Sequence, residues 1–350
     1  MNSRGPLRLA RYSALVWCAL IVYASLHPFA GWRSTGISPL AFLEGGWPRY
    51  WTAFDLAANV AVYLPLGFFL TLGLSTLRWR YTAPLLATLF GILLSGSLEA
   101  VQTWLPSRVP SSLDLACNSL GGLLGALLAV YLGPRVLARL LAFEQKLLAP
   151  VAHAELGLTL LGLWLLLPLS PEILLFGAGD LRQMLGLSTA MPFAAESFVL
   201  IEASIVAFNA VAVGLLVRQL CARLAAAYLV VPLFLLLGLL IRSLAAAILI
   251  SPAEALSWLT PGVRLGLPVA GLVLAIALAL PAAARLMLAG LALMAGCVLV
   301  NLAPPNPYSQ AALAVWQQGH FLNFNGLTRI VASLWPFLTL PFLLLTGRRP

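Results

Sequence analysis

The chain has 350 residues, of which 61% are hydrophobic and 9% are charged, and its mean hydropathy is +0.98. This composition excludes a soluble globular protein, whose surface needs a larger share of polar residues. The net charge of +9 comes from basic residues that stand in ones to threes between apolar runs, which argues against a nucleic-acid-binding stripe.

Ten apolar segments are long enough to be membrane helices, because a helix needs about 20 residues to cross the hydrocarbon of a bilayer. We therefore predict an all-α integral membrane protein, a polytopic bundle of about ten transmembrane helices. The predicted spans are residues 11–30, 54–77, 82–104, 113–132, 148–169, 197–217, 225–249, 264–281, 286–303 and 328–346.

Lysine and arginine predict how these helices are oriented. If the N-terminus lies inside, 13 of the 20 basic residues fall on the inner side, and every inner loop has an arginine near a helix end. Because inner loops of membrane proteins are enriched in basic residues, this pattern indicates a multi-pass protein with both termini in the cytoplasm. In the outer loop after residue 170, the stretch from Pro171 to Met184 is predicted to form a short amphipathic helix at the interface.

The chain divides at a basic inner loop. Residues 1–134 form a predicted four-helix membrane domain, residues 135–147 a cytoplasmic connector, and residues 148–350 a second membrane domain of about six helices. The first four helices carry nearly all of the residues that point to a chemical role.

The second predicted helix begins with Asp55, Asn59 and Tyr63, which recur every four residues and therefore share one face. The third helix ends with Glu99 and Gln102, which share a face at a spacing of three.

The fourth helix begins with Asp114 and Asn118, directly after a short connection that holds Arg108. The predicted topology brings all three groups to the outer leaflet. A binding site at that interface would thus consist of Asp55, Asn59, Tyr63, Glu99, Gln102, Arg108, Asp114 and Asn118.

Structural roles compete with this interpretation. Asp55 and Asp114 stand in the first turn of a helix, where a carboxylate caps free N–H groups, and Ser111 with Asp114 fits a capping box. Asparagine and glutamine side chains commonly join membrane helices by hydrogen bonds. Glu99 gains no cap near the C-terminus of its own helix, so a functional or buried-network role is favoured for it.

The same residues resemble the VanZ-like family. The resemblance rests on Asp55-x-x-x-Asn59-x-x-x-Tyr63-x-Pro65-Leu66-Gly67, on Ser97-Leu98-Glu99-x-x-Gln102, and on Pro106-x-Arg108 followed by Ser112-x-Asp114-x-x-x-Asn118-x-x-Gly121, within residues of about 50–132. Many members carry lysine and histidine where this chain has Leu56 and Asn59, so a histidine-based proton transfer loses support. The resemblance implies a bacterial inner-membrane protein of the cell envelope, with a link to glycopeptide antibiotic resistance.

We expect binding of a lipid-linked or glycopeptide-related head group, with membrane lipids as partners, no nucleic acid and no cofactor. Two alternatives stay open. A membrane enzyme acting on lipid-linked envelope precursors would use the paired carboxylates, but the sequence has no recognisable nucleophile or histidine motif. A transporter is favoured by the helix count and by Glu202 inside a predicted span.

Overall fold

The structure is a computed structural model. It describes residues 5–27, 29–47, 50–75, 82–147, 149, 151, 153–170, 173–187, 192–304, 306–307 and 322–347.

These residues fold into helices joined by loops, and no strand occurs among them. Ten helices of eleven residues or more are described. They are α1 (Gly5–Leu26), α2 (Ala53–Gly73), α3 (Thr82–Gln102), α4 (Ser112–Leu147), α5 (Ala154–Trp164), α6 (Ala195–Leu220), α7 (Leu224–Leu249), α8 (Pro261–Ala277), α9 (Ala282–Leu302) and α10 (Leu322–Gly347).

Eight of the described helices are long and apolar enough to cross a membrane, and α5 and α8 are shorter. The predicted class, a polytopic helical membrane protein, is confirmed. The fifth predicted span is wrong in its extent, because the helix ends at Trp164 and is followed by a 3-10 turn at Leu167–Leu169. Pro168 explains this end, since its ring would clash with the carbonyl of Trp164 in a continuing helix.

The chain forms two compact units, Met1–Phe143 (unit 1) and Glu144–Pro350 (unit 2). α4 runs on to Leu147. The predicted connector, residues 135–147, is therefore a helical continuation of α4 and not a loop. The division into two domains stays a prediction.

Unit 1 is built around a close crossing of α2 and α4. A Cβ on Gly121 would overlap the carbonyl oxygen of Val60, and a Cβ on Gly125 would overlap that of Leu64. The two backbones can approach this closely because glycine has no side chain. The crossing sets the first turns of α2 and α4 side by side.

α1 packs against α2 and α3 through Ile21, which lies in one apolar cluster with Tyr63, Leu66 and Leu98. The Arg11 side chain donates to the carbonyl of Gly73 at the end of α2, so the start of α1 lies beside the end of α2.

Unit 2 has α6 at its centre, since 67% of the apolar window of α6 is buried, more than in any other spanning helix described. Residues 173–181 do not form the predicted interfacial helix. They form a buried irregular segment, which we call the inserted segment, in which Leu175 and Phe176 are 3% and 2% exposed. One short helical turn, Arg182–Leu185, follows it.

Side chains of the long helices bind the backbone of the inserted segment. Arg242 of α7 donates to the carbonyl of Ile173 at 2.8 Å, and Asn301 of α9 donates to the carbonyl of Gly179 at 2.7 Å. The N–H of Leu181 in turn donates to Asn301. Irregular backbone among apolar helices needs such partners, because lipid supplies none.

Candidate functional site

The eight residues predicted as a binding site lie in unit 1, at or near the end that holds the starts of α2 and α4 and the end of α3. We call this set the polar cluster. It consists of Asp55, Asn59, Tyr63, Glu99, Gln102, Arg108, Asp114 and Asn118.

Glu99 joins the end of α3 to the start of α4. Its side chain is 5% exposed, and its Oε2 accepts a hydrogen bond from the backbone N–H of Ser111 at 2.8 Å. The Ser111 hydroxyl accepts from the N–H groups of Leu113 and Asp114, so Ser111 caps α4. Glu99 thus lies at the positive end of the neighbouring helix dipole.

Asp114 binds across to α2. In a capping box, its carboxylate would accept from the N–H of Ser111. Glu99 takes that N–H, and Oδ1 of Asp114 instead accepts from Nδ2 of Asn59 at 2.8 Å. Asp114 and Asn59 are half-buried, so this bond lies within the packed end of the bundle.

Asp55 forms a complete capping box with Thr52 at the start of α2. Thr52 accepts from the N–H of Asp55 at 3.1 Å, and Oδ2 of Asp55 accepts from the N–H of Thr52 at 3.2 Å. The carboxylate also interacts electrostatically with Asp114. Asp55 therefore has a structural role beside its place in the cluster.

A second layer lies one helical turn deeper. Asn118 donates from Nδ2 to the hydroxyl of Ser95 at 2.9 Å, and a hydrogen bond joins that hydroxyl to Tyr63. Tyr63, Ser95 and Asn118 are 3%, 1% and 7% exposed. Ser95 was missed as a site residue, although its position four before Glu99 puts both on one face of α3.

Gln102 and Arg108 bind the end of α1. Nε2 of Gln102 donates to the carbonyl of Ser25 at 2.9 Å. Arg108 donates from Nη2 to the carbonyls of Ala24 at 2.7 Å and His27 at 3.1 Å. The last carbonyls of a helix lack partners within the helix, and a cation there also interacts favourably with the helix dipole.

The charge of Arg108 also acts on the cluster. Burial lowers the pKa of Arg108 from its ordinary value, and the nearby Glu99 carboxylate opposes this shift. The guanidinium nevertheless keeps its positive charge at neutral pH.

The loop between α1 and α2 lies over this end of unit 1. The N–H of Arg33 donates to the carbonyl of Trp104, and the hydroxyl of Ser112 donates to the carbonyl of Gly46. Trp47 and Ile37 of this loop are 71% and 60% exposed. Exposed tryptophan beside membrane helices is typical of the membrane–water interface.

Among the described residues, no group of three or more His, Cys, Asp and Glu side chains is placed to hold a metal ion. The three carboxylates of the polar cluster interact pairwise, Asp55 with Asp114 and Asp114 with Glu99. They do not form a common ligand set.

In unit 2, Glu202 and Asn209 are 2% and 1% exposed. Glu202 lies against Gly262 in the first turn of α8, and Asn209 donates to the carbonyl of Ile205 in its own helix. Like Glu99, Glu202 is a buried glutamate at the N-terminus of a neighbouring helix.

Residues 11–133 match the family model described as VanZ/LLP1. The chain therefore carries an N-terminal VanZ-like domain in a longer helical membrane protein, and the resemblance to this family is confirmed. The match includes α1, which the sequence motifs do not reach. No curated protein and no solved structure matches the chain.

Proposed function

We propose that the polar cluster binds the polar head group of a lipid-linked molecule of the cell envelope. The observation that carries this proposal is the placement of Glu99, a 5% exposed carboxylate at the end of a membrane helix, beside Asp114. Ionisable groups in a membrane span cost roughly 2.5–3.5 kcal/mol at its centre on insertion scales. The cost is smaller toward the interface, where the cluster lies, but Glu99 is almost fully removed from water, which favours a use beyond packing.

The distribution of basic residues supports an orientation in which this end faces outward and both termini are cytoplasmic. Envelope precursors carry their head groups at the membrane surface. The exposed tryptophans of the α1–α2 loop favour a position of this end of unit 1 at the same surface. The VanZ-like domain supports a bacterial inner-membrane location and a link to glycopeptide resistance. An enzymatic role has less support, since the cluster contains no evident nucleophile.

Replacing Glu99 tests the proposal. Glu99→Gln keeps an acceptor for the Ser111 N–H and removes the charge, so we expect normal membrane abundance and loss of the bound molecule. The measurement is mass spectrometry of lipids that co-purify with the gently extracted protein. Growth of cells challenged with a glycopeptide antibiotic gives a second readout.

Glu202→Gln is the matched control, because it removes the charge of an equally buried glutamate beside another helix N-terminus. It should leave the co-purified lipids unchanged. A purely structural cluster predicts the opposite set of results. Glu99→Gln would keep the bound lipids and function, while Asn59→Leu and Asn118→Leu would fail to accumulate after losing bonds worth about 0.6 kcal/mol each.

A further inference from the structure

The charges of the polar cluster are unbalanced. Asp55, Glu99 and Asp114 interact with one another, and Arg108 is the cation that interacts with Glu99. Nη2 of Arg108 points to the carbonyls of Ala24 and His27 at the end of α1. Both N–H groups of Nη2 are thereby used outside the cluster.

A buried hydrogen-bond acceptor without a partner lies one helical turn further into the unit than Asp114. Oδ1 of Asn118 is buried and has no hydrogen-bond partner, while Nδ2 of the same side chain donates to Ser95. Asn118 lies one turn below Asp114 on α4, and Ser95 lies one turn below Glu99 on α3. The Asn118 side chain therefore lies between α3 and α4, one turn inside the acidic end, and its buried acceptor calls for a donor.

We infer that the head group bound by the polar cluster carries a positively charged hydrogen-bond donor, an ammonium group, rather than a phosphate as its recognised part. The inference rests on the proposed function and narrows its ligand. An ammonium group has three donors and no acceptor, so it satisfies carboxylate and amide oxygens and relieves the repulsion among the acids. A phosphate would add negative charge where three carboxylates already lie.

A metal ion is a weaker candidate for the same charge. Divalent ions need several oxygen ligands around one point, and the described carboxylates are not arranged in that way. An ammonium group on a flexible head group needs no fixed polyhedron of ligands.

Three short-chain lipids, added to the purified full-length protein in neutral detergent, test the inference. Phosphatidylethanolamine carries the ammonium group, its N-acetyl derivative keeps the phosphate without the positive charge, and phosphatidylglycerol offers hydroxyl donors without it. Native mass spectrometry measures how much of each lipid is retained. We expect retention of phosphatidylethanolamine to exceed that of the other two about tenfold, as the loss of a charge-assisted hydrogen bond predicts.

The ratio of retained phosphatidylethanolamine to each of the other two lipids should fall to near one in Asp114→Asn and Glu99→Gln. The ratio should stay high in Glu202→Gln. Preference for phosphatidylglycerol or the N-acetyl lipid, lost in Glu99→Gln, would overturn the ammonium inference and leave the proposed function intact. Equal retention of all three lipids, unchanged in every variant, would overturn both.

Discussion

At the scale of single residues, Glu99 has the capping role that the position of Asp114 suggests. Asp114 stands where a capping-box acid accepts from the N-cap residue, yet Glu99 from the neighbouring helix takes that N–H. Asp114 is thereby left to bind Asn59. A substitution that removes the acceptor at Glu99, unlike Glu99→Gln, is for this reason expected to affect the α2–α4 contact as well as the α3–α4 contact.

Arg108 provides a residue-scale prediction about stability. Arg108→Gln removes the donor that reaches two carbonyls at the end of α1, so we expect the free energy of unfolding to fall by about 1–2 kcal/mol. Thermal unfolding of the purified protein measures the loss. Arg108→Lys should recover part of it, because lysine keeps the charge and loses the planar fork of donors.

Arg139→Gln is the control, since it removes an equal charge from an exposed position of α4. Unchanged thermal stability of Arg108→Gln, together with lost retention of phosphatidylglycerol, would show instead that Arg108 is a ligand-binding residue for anions.

At the scale of helices, the α2–α4 crossing holds the site together. Gly125→Ala would place a methyl group on the carbonyl oxygen of Leu64, so α2 and α4 must move apart. We expect a loss of about 1–3 kcal/mol of stability, as in other overpacked contacts, and lower membrane abundance. Fluorescence-detected size-exclusion chromatography after heating measures both.

Gly122→Ala is the matched control, because a Cβ on Gly122 meets no atom within 4 Å. Alanine there should be neutral or slightly stabilising, by up to about 1 kcal/mol, owing to its higher helix propensity. An equal loss of stability in both variants would contradict the steric explanation, because of the two only the Cβ at Gly125 meets the backbone of α2.

The fifth helix shows how one proline changes an element. α5 has 11 residues, about 16 Å of helix, so the helix by itself covers only part of roughly 30 Å of hydrocarbon. The inserted segment follows it, and Arg242, Asn301 and Ser333 bind its carbonyls. The buried Arg242 therefore has a structural role in binding the inserted segment.

At the scale of the whole molecule, topology is the feature on which the proposed function depends. Reporters fused after Lys146, after Arg223 and at the C-terminus should read cytoplasmic, and a reporter after Arg108 should read external. A cytoplasmic signal after Arg108 would place the polar cluster on the inner side and remove the case for an outer-leaflet ligand.

The sequence by itself determined the class of the protein and the position of most of its helices. Hydropathy over about 20 residues is a local property, so spans such as 82–104 lie close to the helices found. It also identified Asp55, Asn59, Glu99, Asp114 and Asn118 as one group, because residues three or four apart share a helical face and antiparallel helices bring their ends together.

Only the tertiary structure decided which partner each of these residues has. Arg108 and Ala24 are 84 positions apart, and Asn59 and Asp114 are 55 apart, so no local pattern relates them. The burial of Ser95 and the burial of the inserted segment likewise depend on which helices pack together. Which donor meets which acceptor depends on how the helices pack against one another, and that geometry is not encoded in the spacing along one helix.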